Sequence, residues 1–211
     1  MVDLSMDMQA LVSRLEPIAR PGGQGRVLMF LGASRGAGAS SVARAFARAA
    51  ARRSRRGVWL IDLDFARNAQ AQALVSPGAS SFDASFGRDP FWQAEPVSAQ
   101  ARLVARPAGE HLYITEFQRS RASIERLQFR SAQAYWNAVR GSIDLAVLDA
   151  PGAGRAVLPV AGDSDGVILV ADESRWDERS IAARRHAIEQ QGGRVVGIVC
   201  NRSRYSAGQA A

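Results

Sequence analysis

The chain has 211 residues, 47% of them hydrophobic, which is enough for one domain with a sizeable core. The formal net charge is +7, and all 27 basic residues are arginine. The single cysteine excludes an intramolecular disulfide framework, and no apolar run approaches the roughly 18–20 residues needed to cross a bilayer. No secretory signal is visible, so we expect a cytoplasmic protein without a membrane span.

The N-terminal half of the chain predicts alternating helices and strands. Apolar residues at helical spacing predict a helix over residues 3–19 that packs on the domain. The run RVLMFLG (26–32) predicts a buried strand, residues 39–54 a helix, and GVWLIDLD (57–64) a second strand. Residues 66–110 are rich in Ala, Ser, Gly and Pro, and indicate surface structure with one short helix. The inward residues expected on the first helix are Leu4, Met8, Leu11, Val12, Leu15 and Ile18.

The C-terminal half continues the alternation. A strand is predicted at HLYITEF (111–117), then a helix over residues 120–140 with Ile124, Leu127, Ala134 and Trp136 as inward residues. Three further apolar runs predict strands at 143–151, 165–172 and 193–201, with a helix at 177–191. Apolar strands alternating with helices predict an α/β fold with a parallel central sheet covered by helices on both faces.

We expect three segments: an N-terminal helix and linker (1–24), one domain (25–203) and a flexible tail (204–211).

A glycine-rich loop, LGASRGAGASS (31–41), joins the first strand to the following helix. Such a turn lets backbone N–H groups close around phosphates, helped by the positive end of the helix dipole. A serine hydroxyl of this loop can also be offered to Mg²⁺. The residues that we assign to nucleotide binding here are Arg35, Gly36, Ala37, Gly38, Ala39, Ser40 and Ser41.

Polar residues end three of the other predicted strands. Asp62 and Asp64 occupy alternate positions, so both carboxylates can face the same crevice. Asp149 follows an apolar run, an arrangement that can hold Mg²⁺ through water. The amide of Asn201 has the donor and acceptor needed to read a purine edge. A single aspartate at a strand end is usually a cap or a solvated terminus, but all of these in this order indicate a nucleotide site.

These motifs resemble the deviant-Walker P-loop family that includes ParA and MinD. They are most similar to the cytoplasmic ATPase domain of the bacterial tyrosine kinases of capsule and exopolysaccharide synthesis, over about residues 26–202. The resemblance implies a P-loop NTPase three-layer sandwich with ATP or ADP and Mg²⁺ as cofactors. It further implies Ser40, Asp62 and Asp149 at the metal, and Asp62 and Asp64 in activation of the acceptor hydroxyl. Asn201 and Arg202 would contact the nucleotide.

The chain departs from that family at the loop lysine, where Ala39 stands. The chain contains no lysine, but a general replacement of lysine by arginine would have left arginine at position 39. The alanine therefore indicates a specific loss of the cation at this position. Loss of a charged partner weakens nucleotide binding, and it impairs phosphoryl transfer more, because the lysine neutralises charge that develops on the phosphates. Arg35 is a candidate substitute cation, although an exposed loop arginine is ordinarily solvated.

Six arginines lie on and after the helix at 39–54. Three of them recur every four residues and so line one face of the helix. Such a row of arginines is usually a solvated helix face. The alternative is a positively charged binding surface for an acidic protein, lipid or DNA. The six are Arg44, Arg48, Arg52, Arg53, Arg55 and Arg56.

We therefore predict a degenerate regulatory or scaffold protein of bacterial exopolysaccharide (capsule or adhesin) synthesis and export, which binds nucleotide weakly or not at all. A membrane co-polymerase or transport subunit is the expected partner. DNA is not expected as a partner, while a homodimer and peripheral contact with the inner face of the plasma membrane stay open. The alternatives are a ParA/MinD-like positioning ATPase for pili, chromosomes or cell poles, and an active tyrosine autokinase with a substitute cation. The kinases carry a C-terminal tyrosine cluster, whereas this tail has only Tyr205.

Overall fold

The structure is a computed structural model that describes residues 5–15, 23–87, 89–96, 101–119, 124–150 and 155–202. The helices in these ranges are α1 (Ser5–Leu15), α2 (Ala39–Ala51), α3 (Ala69–Leu74), α4 (Gln133–Ser142) and α5 (Glu178–Glu189). The strands in these ranges are β1 (Arg26–Gly32), β2 (Val58–Asp62), β3 (Phe82–Asp83), β4 (Trp92–Glu95), β5 (Arg102–Gly109), β6 (Leu112–Gln118), β7 (Arg126–Phe129), β8 (Leu145–Ala150), β9 (Gly166–Asp172) and β10 (Val195–Asn201).

Eight strands form one mostly parallel sheet in the order β10-β9-β1-β8-β2-β6-β5-β3. The first six of this order run parallel to one another, and β5 and β3 extend the sheet antiparallel at one edge. A separate antiparallel pair joins β4 and β7. Because β1, β2, β8, β9 and β10 are parallel, their carboxyl ends meet at one edge of the sheet, where ligands bind in open α/β sheets.

The central strands are buried on both faces, as the continuous apolar runs predict. Alternate residues of β1 illustrate this, since Met29 joins the core cluster under α4 and α5 while Phe30 joins the cluster under α1 and α2. The Phe30 and Phe46 rings lie 5.0 Å apart and fix α2 on the sheet. The three-layer α/β fold expected from the sequence is confirmed.

The N-terminal helix packs on this core through α2. Met8, Val12 and Leu15 are buried in the same cluster as Phe46, and Leu11 is half-buried against it. Two other residues predicted to face inward, Leu4 and Ile18, lie outside the described residues, as do the tail and Tyr205.

Two predictions of local structure are wrong. The segment 66–110 contains the short helix α3 but also β3, β4 and β5, which form by antiparallel pairing at the sheet edge and in the small sheet. The helix predicted over residues 120–140 is instead β7 followed by α4, which starts only at Gln133. Ile124 precedes β7, Leu127 lies on it, and Ala134 is exposed, whereas Trp136 is fully buried as predicted.

A distant carboxylate fixes this helix start. Asp163 accepts hydrogen bonds from the Ala132 backbone N–H and the Ser131 hydroxyl, both at 2.7 Å. The Ala132 backbone N–H ahead of α4 therefore has a hydrogen-bond partner without being part of a helix. The backbone hydrogen bonds of β7 are made with β4.

Candidate functional site

The glycine-rich loop leaves β1 at the carboxyl edge of the sheet and ends where α2 begins. Gly36 and Gly38 have φ of 76° and 88°, in the left-handed region that glycine adopts without a steric penalty. The loop is tied back to the sheet by the Ala33 N–H, which donates to the Val170 carbonyl at 2.8 Å. The start of α2 therefore presents its first N–H groups at the mouth of the loop, as an anion site requires.

No cationic side chain rises from the start of α2. The Ala39 methyl is buried in the core cluster beneath the loop, while Ser40 and Ser41 are exposed. Arg35 is exposed on the loop itself. The side chain at position 39 therefore offers no charge to a ligand in the loop, and loss of function at this position stays a prediction.

Two aspartates from adjacent strands meet next to the loop. Asp62 of β2 and Asp149 of β8 are paired in register, and both are buried, at 2% and 3% exposure. Burial raises the pKa of Asp62 to about 6, against hydrogen bonds that lower it and with the neighbouring Asp149 adding to the rise. Asp64 is half-buried, and its charge also raises the pKa of both. The three acids are therefore neighbours at the carboxyl edge of the sheet, and their roles toward a metal or a substrate stay predictions.

Both oxygens of the Asp62 carboxylate accept hydrogen bonds from backbone N–H groups. Oδ1 accepts the Asp64 backbone N–H at 2.8 Å, and Oδ2 accepts the Gln70 backbone N–H at 2.9 Å. Asp62 therefore caps the start of α3. The burial of Asp149 raises its pKa, while side-chain hydrogen bonds from Gln70 and Ser40 and the charge of Arg44 oppose that rise.

Gln70 is a site residue that the sequence analysis did not predict. Its side chain is fully buried between the loop and the carboxylates. Its Nε2 donates to Asp149 Oδ2 at 2.5 Å and to the Ser40 carbonyl at 3.0 Å, and its Oε1 accepts from Arg44 Nε at 2.8 Å. A glutamine in an alanine-rich stretch matches no motif, so only the fold places it here.

The present arrangement leaves few protein oxygens free for a Mg²⁺ ion. Mg²⁺ takes near-octahedral oxygen ligands at about 2.0–2.1 Å and is usually held by one or two carboxylates together with phosphates and waters. Each Asp62 oxygen accepts an N–H group and Asp149 Oδ2 accepts from Gln70, so that among the described residues Asp149 Oδ1 is the buried carboxylate oxygen without a hydrogen-bond partner. Within the described ranges, no three His, Cys, Asp or Glu side chains are grouped to hold a metal.

Asn201 lies against the glycine-rich loop. Its Nδ2 donates to the Ala37 carbonyl at 2.9 Å, so the amide that was predicted to read a purine edge braces the loop in this structure. The sequence prediction that Asn201 belongs to the site is thus consistent with its position, and its role toward a base stays a prediction.

A third strand-end aspartate, Asp172 of β9, gathers two arginines at the rim of the loop. Arg175 and Arg202 reach its Oδ2 at 3.0 and 2.5 Å. The Ser174 hydroxyl and these arginines hold the pKa of Asp172 well below its usual range. Arg175 also lies 3.4 Å from the Gly36 carbonyl oxygen. Asp172 ends an apolar strand as Asp62 and Asp149 do, and that pattern was the signal available in the sequence.

An open cavity of about 340 Å³ lies beside the loop, on the side of β9 and α5. Arg35 and Arg175 both border it, together with Ser34 and Ser180. Asp172 and Asp177 border it as well, so charges of both signs line this cavity.

Comparisons by sequence are negative: a scan against protein-family models and a search of curated proteins both find no match. Solved structures do match. The kinase domain of the Escherichia coli tyrosine kinase ETK has a TM-score of 0.64 at 16% identity, covering 98% of this chain and 80% of that chain. The VpsO kinase domain has a TM-score of 0.59 at 18% identity, covering 95% and 98%.

A Borrelia burgdorferi protein described as a plasmid partition protein, bound to AMPPNP, has a TM-score of 0.52 at 14% identity and covers 87% and 77% of the two chains. At such identities the likeness establishes the fold alone, an α/β fold shared with these kinase domains and with the plasmid partition protein. In the described residues, no helix is long and apolar enough to cross a membrane.

Proposed function

We propose that this chain is a degenerate P-loop protein of the bacterial tyrosine kinase type, which serves as a regulatory or scaffold subunit in exopolysaccharide synthesis and export. It binds nucleotide weakly and transfers phosphate inefficiently. The proposal is supported by the fold shared with the ETK and VpsO kinase domains.

The buried Ala39 methyl carries the proposal. Transition-state charge on a transferred phosphoryl group needs a fixed cation, and the start of α2 supplies none. The nucleotide in such a site would be held by the N–H groups at the start of α2, with Ser40, Asp62 and Asp149 below it. Uniform binding of this kind lowers a dissociation constant without accelerating a reaction.

Phosphoryl transfer is tested by ATP turnover and autophosphorylation of the wild-type protein and Ala39→Lys. We expect turnover near background in the wild type and a gain in Ala39→Lys. Ala134→Lys adds a lysine to an exposed position of α4 and should change nothing. Wild-type turnover that Ala39→Lys cannot improve would instead support the alternative, an active enzyme with a substitute cation.

The biological role is tested by deletion of the gene and measurement of extracellular polysaccharide. We expect polysaccharide to fall, and both wild type and an Ala39→Ser variant to restore it, because a scaffold does not need turnover. The expected partner is a membrane co-polymerase subunit, with the protein on the cytoplasmic side. If deletion leaves polysaccharide unchanged but misplaces pili or chromosomes, the ParA/MinD-like positioning function replaces this proposal.

One surface favours an acidic partner. Arg48, Arg52 and Arg55 are exposed, and their side chains have no hydrogen bond or ion pair with the described parts of the chain. By contrast, Arg44 binds Gln70 and Arg56 binds Asp144. The three unpaired guanidinium groups form a positive surface at the far end of α2 from the loop, suited to an acidic segment of a co-polymerase.

A further inference from the structure

We infer that Gln70 takes the place of the divalent cation in this site, so that phosphate-bearing ligands bind the glycine-rich loop without Mg²⁺. This deepens the proposed function and rests on it, because it concerns the same site. The ligand class is a pyrophosphate or a nucleoside di- or triphosphate.

The first step is the position of the Gln70 amide. Both of its N–H groups are used, one toward the Ser40 carbonyl and one toward Asp149 Oδ2. They connect the main chain of the loop serine to the strand-end aspartate, two residues that the family resemblance assigns to the metal. The Gln70 backbone N–H also donates to Asp62. Hydrogen bonds therefore hold both the main chain and the terminal amide of this residue.

The second step concerns charge. Two buried carboxylates of like charge need compensation, because a buried charge without a partner is strongly unfavourable. Arg44 donates to the Gln70 carbonyl oxygen at 2.8 Å, and its charge lowers the pKa of Asp149. Arg44 and Gln70 together thus supply the positive charge and the donors that a bound cation would supply.

The third step is the coordination that is left. Among the described residues, Asp149 Oδ1 is the carboxylate oxygen of the buried pair with no hydrogen-bond partner. Mg²⁺ is usually held by one or two carboxylates together with phosphates and waters, so this oxygen is the one direct ligand that the pair leaves open. Coordination through Asp149 Oδ2 would require Gln70 to leave, with loss of its hydrogen bonds to Asp149, Ser40 and Arg44.

The fourth step is the source of positive charge for the ligand. Asp172 fixes the guanidinium of Arg175 at the rim of the loop, 3.4 Å from the Gly36 carbonyl oxygen, while 56% of the side chain stays exposed. Arg35 borders the same cavity. Arginine binds phosphate in a planar, bidentate manner, so Arg175 can hold a phosphate at this rim without a metal.

The test measures binding of ATP and of pyrophosphate by calorimetry, once with EDTA and once with excess Mg²⁺. We expect the wild-type dissociation constants to agree within about twofold between the two conditions. Electron paramagnetic resonance of Mn²⁺ reports metal directly, and wild-type protein should leave added Mn²⁺ free. Both measurements use the unaltered chain, so neither depends on the folding of a variant.

Gln70→Ala opens the cation position. We expect this variant to bind one Mn²⁺ and to bind ATP at least about tenfold more tightly with Mg²⁺ than with EDTA. Gln72→Ala is the matched control, because Gln72 lies on the same helix, is exposed and donates only to the Arg67 carbonyl. Arg175→Ala should weaken pyrophosphate binding roughly tenfold under both conditions, as expected for one charged hydrogen-bond partner.

Wild-type binding that tightens about tenfold with Mg²⁺ would overturn the inference, as would Mn²⁺ bound by the wild type or a Gln70→Ala variant that stays indifferent to metal. A wild-type protein that binds neither probe also overturns it. The scaffold function is not tested by that result, because restoration of polysaccharide in the deletion strain measures it separately.

Discussion

The amide of Asn201 occupies the place where a side chain at Gly38 would begin. A Cβ built on Gly38 would lie 2.1 Å from Asn201 Nδ2, although the two residues are far apart in the sequence. Asn201 is held there by its hydrogen bond to the Ala37 carbonyl. The last strand of the parallel sheet therefore fixes the shape of the loop that follows the first strand, and glycine at position 38 is required both by its φ of 88° and by this contact.

Gly38→Ala should therefore destabilise the protein more than a glycine replacement that causes strain alone. Gly78 is the control, because its φ is 79° but a Cβ there meets nothing within 4 Å. We expect Gly78→Ala to cost about 1–2 kcal/mol from backbone strain, and Gly38→Ala to cost up to about 1 kcal/mol more from overpacking, because the contact is with the end of the Asn201 side chain, which can move aside. Urea unfolding measures both. Adding Asn201→Ala to Gly38→Ala should recover part of the excess, and equal costs for the two alanine variants would exclude the contact as a cause.

The raised pKa of Asp62 should appear in the pH dependence of stability. Burial raises this pKa from 3.8 to about 6, so between about pH 4 and pH 6 the folded chain holds a proton that the unfolded chain has released. The free energy of unfolding then falls as pH rises through this window, by up to about 3 kcal/mol from this group. Asp62→Asn should remove that fall, in urea unfolding measured at several pH values.

Asp144 provides the contrast for this measurement. Burial raises the pKa of Asp144, but hydrogen bonds from Arg56, Arg55 and Ser54 outweigh it and hold the pKa below its usual range. Its stabilising contribution is complete above the unfolded pKa and is lost at lower pH. Asp144→Asn should therefore lower stability by a constant amount above about pH 5, whereas the Asp62→Asn effect changes with pH up to about 6.

The predictable part of the fold follows from local patterns that the tertiary structure does not override. Strands such as β1 and β8 are buried on both faces, so their continuous apolar runs stand out in the sequence. The strand-end acids Asp62 and Asp149 could be placed together for the same reason, because the ends of parallel strands share one edge.

The parts that were missed depend on distant partners. The strand β7 is defined by pairing with β4, and the start of α4 is set by Asp163, so neither boundary has a local signal. Gln70 acquires its role only because α3 brings it under the loop and beside Asp149. Sequence patterns indicate hydrophobic periodicity and the positions of turns. They carry no information on which buried amide will contact which carboxylate.

The ion pair of Arg140 and Asp165 should be among the most sensitive polar contacts of the described chain. The Arg140 side chain is 2% exposed and that of Asp165 is 6% exposed, with two hydrogen bonds at 3.1 and 3.2 Å between them. Arg140→Met removes the cation that faces the buried Asp165 and leaves the Val27 backbone N–H, at 2.7 Å, as a neutral donor to it, so we expect a loss of about 3–5 kcal/mol in urea unfolding. Arg130→Ala, which breaks an exposed pair with Asp89 at 3.7 Å, should cost no more than about 1 kcal/mol. Similar losses in the two variants would contradict the role of burial.

Trp136 should tolerate phenylalanine better than its size suggests. The indole is fully buried, 4.8 Å from the ring of Phe91, yet its Nε1 has no hydrogen-bond partner among the residues that the structure describes. Trp136→Phe creates a cavity but also removes an unsatisfied buried donor, whose burial costs about 1–3 kcal/mol, so the two effects partly offset each other. We expect a net loss below about 1.5 kcal/mol, against about 3–5 kcal/mol for Trp136→Ala.

Tyr135→Phe is the matched comparison, since the Tyr135 hydroxyl does donate, to the Ala84 carbonyl at 2.9 Å, and its removal should cost about 1 kcal/mol. Chemical denaturation of the three variants decides the point, and a Trp136→Phe loss as large as that of Trp136→Ala would mean that the indole N–H is satisfied in solution.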